Sequence, residues 1–451
     1  MPIQMDTYFK SRWTHKRGAD GNIMFAILAA GYGKRMEPLT VHHLPKPMFP
    51  IGGSVPISEM WVRKAVECGV SEISMNLAVL GETIRNYYGR GARFGADIRF
   101  VEEHAPSGTL GGVCKQALGA DAKRVLDREE TIPFGAFQGS TIIVPSGDIV
   151  TNFSSDLIER MYDIHKRKGS AFTMLLTPIP WEQRAEFGTV ELENPETMQG
   201  PISVSGRIRK FIEKDPNSPS NLNNASVYMI EMDLLRMLDP LRTEASVAIE
   251  APFYDFGKHV FSAMLGELDY VRLPKDAVLW GIQYDGLWFD VGRKQDYLEV
   301  NRICMDGGVD IVLPYERFPW GYLGNNASVD FSEVNIVPPV IIGHDCVIED
   351  KAVLGPHAVI GDGWTVESGA RITNSVLWKT YAFTKDEGSL IPREERKALV
   401  PNVVKRGTVM DESIVVGGSI EEDILGKTVD VLEDGRLEMR SIDWVPGGPR
   451  I

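Results

Sequence analysis

Gly31 and Gly33 follow a short apolar run, "FAILAAG", and Lys34 and Arg35 come directly after them. Glycines after a buried strand allow a tight turn and let backbone N–H groups approach a ligand without a Cβ in the way. Two cations next to such a turn suit an anion, and phosphate is the natural candidate. Neither of the two commonest phosphate loops is present. Met36 stands where G-x-G-x-x-G needs its third glycine, and G-x-x-x-x-G-K-[ST] fails as well. Taken alone, the stretch also fits a strand-to-loop turn with solvated cations. A second cation, Lys46, lies between Pro45 and Pro47. Prolines on both sides restrict the backbone and so the reach of the ammonium, although a Pro-rich surface loop has the same composition.

These residues need a frame, and the chain supplies two. From Ile23 to about Arg302 apolar strands alternate with helical stretches, as in "TIIVPSGDIV" followed by "SSDLIERMYDIHKRKG". That alternation predicts an α/β fold, a Rossmann-like mainly parallel sheet, whose ligands sit beyond the carboxyl ends of the strands. From Ile336 a period of six takes over: Ile336, Ile342, Ile348, Leu354, Ile360, Val366 and Ile372 each open a hexad. Neither a helix nor a flat strand has that period. A hexapeptide-repeat parallel (left-handed) β-helix does, with the aliphatic positions stacked inside. A weaker echo, "VMDESIVVGGSI", follows a charged insert.

The bulk properties narrow the classes. A chain of 451 residues is expected to form two or three domains. The net charge of −14 argues against a general nucleic-acid or membrane surface but permits a locally basic pocket. No apolar run is long enough to span a bilayer. The first 22 residues lack an apolar signal core and read as a flexible or docking extension. Cys68, Cys114, Cys304 and Cys346 stand far apart without metal-type spacing, as reduced cytoplasmic thiols would.

Together, "LAAGYGKRMEPLT" and "PKPMFPIGG" resemble the N-terminal motif of the sugar-1-phosphate nucleotidylyltransferases. The similarity runs in order through "VEEHAPSGTLGG", "VPSGDIV", "EFGTVELE", "RKFIEKDP", "NNASVYMI" and "LWFDVGRKQDYLEVN". A hexapeptide coil is also found in this family. The resemblance implies an enzyme that joins a nucleoside triphosphate and a sugar-1-phosphate, releasing pyrophosphate, with Mg²⁺ as cofactor. Leu28, Ala30, Gly31, Gly33 and Lys34 would hold the nucleotide, with Gly108 and Thr109 at the base. Arg35, Lys46 and Lys214 would neutralise the phosphates in catalysis. Gly188, Glu213 and Asn224 would meet the sugar, and Asp148 and Asp290 would hold the metal. For several of these the residues permit a plainer role: Asp148 a turn or helix cap, Asp290 a cap for the helix after it, Glu213–Lys214 an exposed charge pair. Two departures stand out. Lys34 replaces a usual Thr, and Ser226 replaces a usual Gly, which would narrow the sugar pocket.

The implied organisation is an extension over 1–22, a catalytic domain over 23–305 and a linker over 306–333. The β-helix follows over 334–430, with an inserted loop at 379–406, then an irregular tail over 431–451. The base and sugar expected are GTP and mannose-1-phosphate, with glucose-1-phosphate uridylyl- or thymidylyltransferase as the alternative. Two rival readings differ in class. In one the coil is an acyltransferase using His344 or His357. Seven hexads make only about two three-sided turns, short for such a groove, and both histidines fall at solvent-open turn positions. In the other the chain is a non-catalytic regulatory subunit. Retention of Arg35, Lys46, Asp148, Lys214 and Asp290 favours the enzyme. Exposed aliphatic coil faces point to a homo-oligomer; no nucleic-acid or membrane partner is expected.

Overall fold

The computed structural model describes residues 22–122, 132–238, 255–267, 273, 277–378, 402–431 and 437–442. By its internal contacts the chain divides into two units. One comprises 1–31 with 60–288, the other 32–59 with 289–451.

The first unit is built on a nine-stranded sheet. Ile23–Ile27, every residue buried, lies parallel between Glu72–Leu77 and Thr141–Pro145. Such a continuous apolar strand is what a sheet covered on both faces requires. Asp97–Glu102 extends this parallel half. The other half is mixed. Leu222–Glu231 runs antiparallel to Thr141–Pro145 and Ser170–Pro178, and Ile202–Glu213 antiparallel to Val278–Tyr284 and Gly188–Thr197. Only Ser170–Pro178 and Val278–Tyr284 pair in parallel there. The expected Rossmann-like α/β sheet is thus present, with parallel order concentrated around its first strand.

The second unit contains the coil. Its strands lie on three faces, each a stack of parallel rungs. On one face Val340–Ile342, Ala358–Ile360 and Val376–Trp378 succeed one another in register. The inward Ile342, Leu354, Ile360, Val366 and Ile372 are completely buried. The coil is longer than the seven hexads imply. It begins with Gly321–Leu323 and Ser328–Val329, inside the expected linker, and continues through Ile424–Leu425. The first rung lacks the aliphatic signature, and the insert interrupts the period, so the repeat hides both ends. Residues 379–401 of the insert lie outside the described residues, while Asn402–Val404 is itself a coil strand. The expected irregular tail includes Leu437–Ser441, which pairs antiparallel with Lys427–Val431.

Two further expectations change here. The outward Ile341, Val359, Val376 and Ile414 are also buried. The turn at Gly52–Gly53 approaches Ile341 and Val359 so closely that a Cβ would stand 3.4 and 3.1 Å away. This aliphatic face is therefore covered inside its own unit and gives no argument for self-association. His344 and His357 are half-buried and engaged. His344 Nδ1 accepts from Asn325 N at 2.8 Å, and His357 Nε2 lies 2.9 Å from Asp306.

All four cysteines are buried and none forms a disulfide. Among the described residues no helix is long and apolar enough to cross a membrane.

Candidate active site

In the first unit the expected residues gather at the carboxyl ends of the parallel strands. Ile23–Ile27 ends at Leu28, whose N–H donates to Pro145 O (3.0 Å) and whose carbonyl accepts from Gly147 N (2.8 Å). Leu28 is thereby clipped to the turn carrying Asp148. Asp148 accepts from Ser146 Oγ at 2.6 Å. Ala30 is half-buried and Gly31 exposed. A Cβ on Gly31 would meet no atom of the chain within 4 Å, so its backbone is open to an approaching ligand.

The expected base loop opens the helix Gly108–Leu118. Gly108 has φ +81°, a left-handed conformation that suits glycine. Thr109 does not hold its hydroxyl in reserve as an acceptor, because Oγ1 accepts from Phe256 N at 2.7 Å. Beneath this loop lies a hub the sequence reading missed. Glu103, wholly buried, accepts from Asn76 Nδ2 (2.6 Å), from both N and Oγ of Ser107, and from buried Lys115 Nζ (3.4 Å). Asn76 Oδ1 in turn accepts from Ala29 N at 2.8 Å. One carboxylate therefore ties the strand end before Gly31 to the residue before Gly108. A sequence signal existed: a lysine inside the otherwise apolar, glycine-rich "GTLGGVCKQAL" demands a buried partner.

The sugar-side residues form a second group. Gly188 and Glu213 are opposed in the hairpin, and Lys214 Nζ lies 3.7 Å from Glu213 Oε1. A Cβ on Gly188 would stand 2.5 Å from Phe211, so the glycine is needed for packing. Lys214 is exposed and has φ +50°. Asn224 is committed to its own bulge. Its Oδ1 accepts from Ser226 N (3.0 Å), and its Nδ2 donates to Tyr228 Oη (2.9 Å). Ser226 has φ +55°, the conformation for which glycine is the usual choice, so the serine is strained there. Its carbonyl accepts from Ser146 N at 2.9 Å, beside the Asp148 turn.

The second unit holds Lys34, Arg35 and Lys46. Gly33 has φ +60°, and a Cβ there would come within 2.7 Å of Thr40. Its role in the turn is thus steric as well as conformational. Lys34 and Arg35 are exposed, with the Lys34 ammonium 5.9 Å from the ring centroid of exposed Tyr32. The Arg35 guanidinium packs where a Cβ on Gly292 would be, 3.0 Å away, so Gly292 makes room for it. Lys46 opens a short 3-10 turn with Pro45 and Pro47 buried around it, and its ammonium lies 3.7 Å from Asp290. The lysine expected at the sugar phosphate and a carboxylate expected at the metal are therefore neighbours. Asp290 does not cap the helix that follows, Lys294–Met305. The N-cap is Arg293, whose N–H donates to Oδ2 of Asp296, the third helical residue, at 2.9 Å. Burial and the nearby Asp290 push the Asp296 carboxyl up to about 6, against the pull of Arg293 and Arg35.

Residues 25–307 match the family described as nucleotidyl transferase. The chain belongs to the nucleotidyl transferase family. Members of the family resemble it well beyond that segment. A UTP–glucose-1-phosphate uridylyltransferase from Synechocystis is 28% identical over 359 residues, covering 78% of this chain and 82% of its own. A mannose-1-phosphate guanylyltransferase from Mycobacterium tuberculosis is 26% identical over 353 residues, covering 77% and 82%. A glucose-1-phosphate adenylyltransferase from Desulfitobacterium hafniense is 22% identical over 367 residues, covering 78% and 83%. The resemblance read from the motifs is borne out: this nucleotidyl transferase matches sugar-1-phosphate members of its family over most of both chains.

Proposed function

We propose that the chain is a sugar-1-phosphate nucleotidylyltransferase that makes an NDP-sugar and pyrophosphate, with GTP and mannose-1-phosphate as its pair. The observation that carries the class is the family match together with relatives whose similarity spans about four-fifths of each chain. A second reading, UTP with glucose-1-phosphate, is favoured by the Synechocystis relative at 28% identity.

The reaction is attack by a sugar-phosphate oxygen on the α-phosphorus, with pyrophosphate leaving. Both reactants are anions, so orientation and charge neutralisation carry the catalysis. In this reading Leu28, Ala30, Gly31, Gly33 and Lys34 receive the triphosphate, and Gly108 and Thr109 face the base. Arg35 steadies the leaving pyrophosphate. Lys46 and Lys214 hold the sugar phosphate, and Gly188, Glu213 and Asn224 orient the sugar. Asp148 and Asp290 suit Mg²⁺ because carboxylate oxygen is its preferred protein donor. Among the described residues there is no group of three or more metal-type side chains. Such a site would therefore be completed by phosphate oxygens and water. Bound there, Mg²⁺ would neutralise the phosphates. The substrates are water-soluble, and we place the activity in the cytoplasm. Self-association through the coil remains our reading, now resting on exposed Phe331, Val347 and Leu425.

The test is pyrophosphate release with Mg²⁺, crossing GTP, UTP, dTTP and ATP with mannose-1-phosphate, glucose-1-phosphate and N-acetylglucosamine-1-phosphate. One dominant pair would establish the enzyme with its base and sugar. No release from folded protein that still binds nucleotide would favour a regulatory subunit.

A further inference from the structure

The turn that carries Lys46 is gripped by aromatic residues from two distant parts of the sequence, all within the second unit. Phe49, Tyr297 and Trp378 are each completely buried. Their rings meet edge to face, with Phe49 4.8 Å from Trp378 and 5.5 Å from Tyr297, and Tyr297 5.8 Å from Trp378. A line of polar contacts runs through this apolar cluster. Trp364, inside the coil, donates from Nε1 to the Trp378 carbonyl at 2.8 Å. Trp378 Nε1 donates to Tyr297 Oη (2.8 Å), and Tyr297 Oη donates to the Pro50 carbonyl (2.6 Å). Phe49 N then donates to the Lys46 carbonyl at 3.1 Å. Asn301, one turn beyond Tyr297, accepts from Gly52 N at 2.9 Å and fixes the hairpin turn that follows Pro50–Ile51.

Tyr297 sits on the helix Lys294–Met305, which begins four residues after Asp290. The same side chain thus reaches back to the Lys46 turn from the element that follows Asp290. Trp378 lies on a coil strand and faces outward. Its body packs on the clamp instead of the coil interior. A tryptophan and a tyrosine with both polar atoms satisfied inside an apolar cluster specify one arrangement, because any other leaves a buried N–H or O–H unpaired.

We propose that Tyr297 and Trp378 are positioning residues: the coil, through them, sets the backbone of the Lys46 turn and so the place of the Lys46 ammonium beside Asp290. This rests on the reading of Lys46 as a phosphate-holding group. It assigns the coil a direct part in arranging the chemistry, and it names the side chains that do so.

The test uses full-length Tyr297→Phe and Trp378→Phe, which keep a ring and lose the polar link. Each is expected to lower kcat by about tenfold with KM for either substrate within about twofold, since small misplacements of a catalytic group are costly. In a Lys46→Ala background the same substitutions should cost less than about twofold, because their effect passes through Lys46. A merely structural role would give fold-losses that multiply in full, and that outcome overturns the proposal. Hydrogen exchange supplies a readout independent of turnover. The amides of Met48 and Phe49, bonded to Pro45 O and Lys46 O, should exchange about tenfold faster in Tyr297→Phe, beyond the change in global stability. Unchanged protection also overturns the proposal. If the wild-type protein turns over no substrate pair, the reading of function fails by itself, and the exchange measurement still decides the clamp.

Discussion

The two units hold their site loops by opposite means. In the first, a buried carboxylate gathers Asn76, Ser107 and Lys115, and through Asn76 the strand end at Ala29. In the second, the Lys46 turn is held by three fully buried aromatic rings. A charge hub is directional and intolerant: removing one member strands the others without solvent. The aromatic clamp, on losing one polar link, still keeps most of its buried contact area, so the same kind of loss costs it less stability. The loop beside Gly108 and the turn carrying Lys46 should therefore fail differently.

On the proposed reading of Asp148 and Asp290, the largest expected effect is on turnover. Asp148→Asn and Asp290→Asn should each lower kcat by about 100-fold or more, about 2.7 kcal/mol of barrier, with a much smaller change in nucleotide affinity. Steady-state kinetics at saturating Mg²⁺, with nucleotide binding measured in parallel, would remove either assignment if turnover stayed near normal. Stability separates the two regions next. Glu103→Ala leaves the Lys115 ammonium buried without its carboxylate and should cost about 3–5 kcal/mol. The double variant Glu103→Gln with Lys115→Met should recover most of this. Tyr297→Phe leaves one buried indole N–H unsatisfied and should cost about 1–3 kcal/mol. Urea denaturation giving Tyr297→Phe the larger loss would break the comparison.

The smallest effect is pH dependence. In the first unit burial holds the His165 imidazole below its usual range, against Glu231, while Glu231 itself is held low by His165 and Lys166 despite its own burial. The folded state binds these protons less readily than the unfolded chain. Their contributions are present above about pH 6.5 for His165 and about pH 4.5 for Glu231, and are lost as the pH falls below those values. Asp296 in the second unit works the other way. With its carboxyl pushed up to about 6, it costs stability as pH rises between about 3.8 and 6 and returns it on acidification. Hydrogen exchange in metal-free buffer from pH 7 to 5 should show protection falling around His165, while replacing Asp296 by Asn flattens the opposite trend around the Lys294–Met305 helix. Parallel acid profiles in both places would contradict this.

The candidate site could be proposed from sequence because phosphate chemistry favours particular local residue types. Glycines after a strand, prolines around a lysine and a strand-end aspartate all appear as contiguous motifs; in the structure Gly31 follows the first strand, Asp148 lies in the turn after Thr141–Pro145, and Gly108 opens a helix. Less legible were contacts between motifs. Nothing local in "FVEEH" marks Glu103 as the anchor for Ala29 and Ser107, and nothing in "DVGRKQDY" separates the carboxylate beside Lys46 from Asp296, which accepts from the N-cap Arg293. The coil was read from its period, so its first rung and the strand after the insert, where the period lapses, were missed.

What the sequence determined by itself was the pair of folds, because strand–helix alternation and a six-residue repeat are local burial patterns that survive without knowing what packs on what; the family came from the resemblance of its ordered motifs. What only tertiary structure decided was where the P-K-P segment belongs. Residues 45–53 lie far from 297 and 378 in sequence, yet their turn is built on those side chains. A buried aromatic looks the same in sequence whether it fills its own strand's core or closes on a loop far earlier in the chain. The choice is made by shape and hydrogen-bond satisfaction, which exist only once the chain has folded.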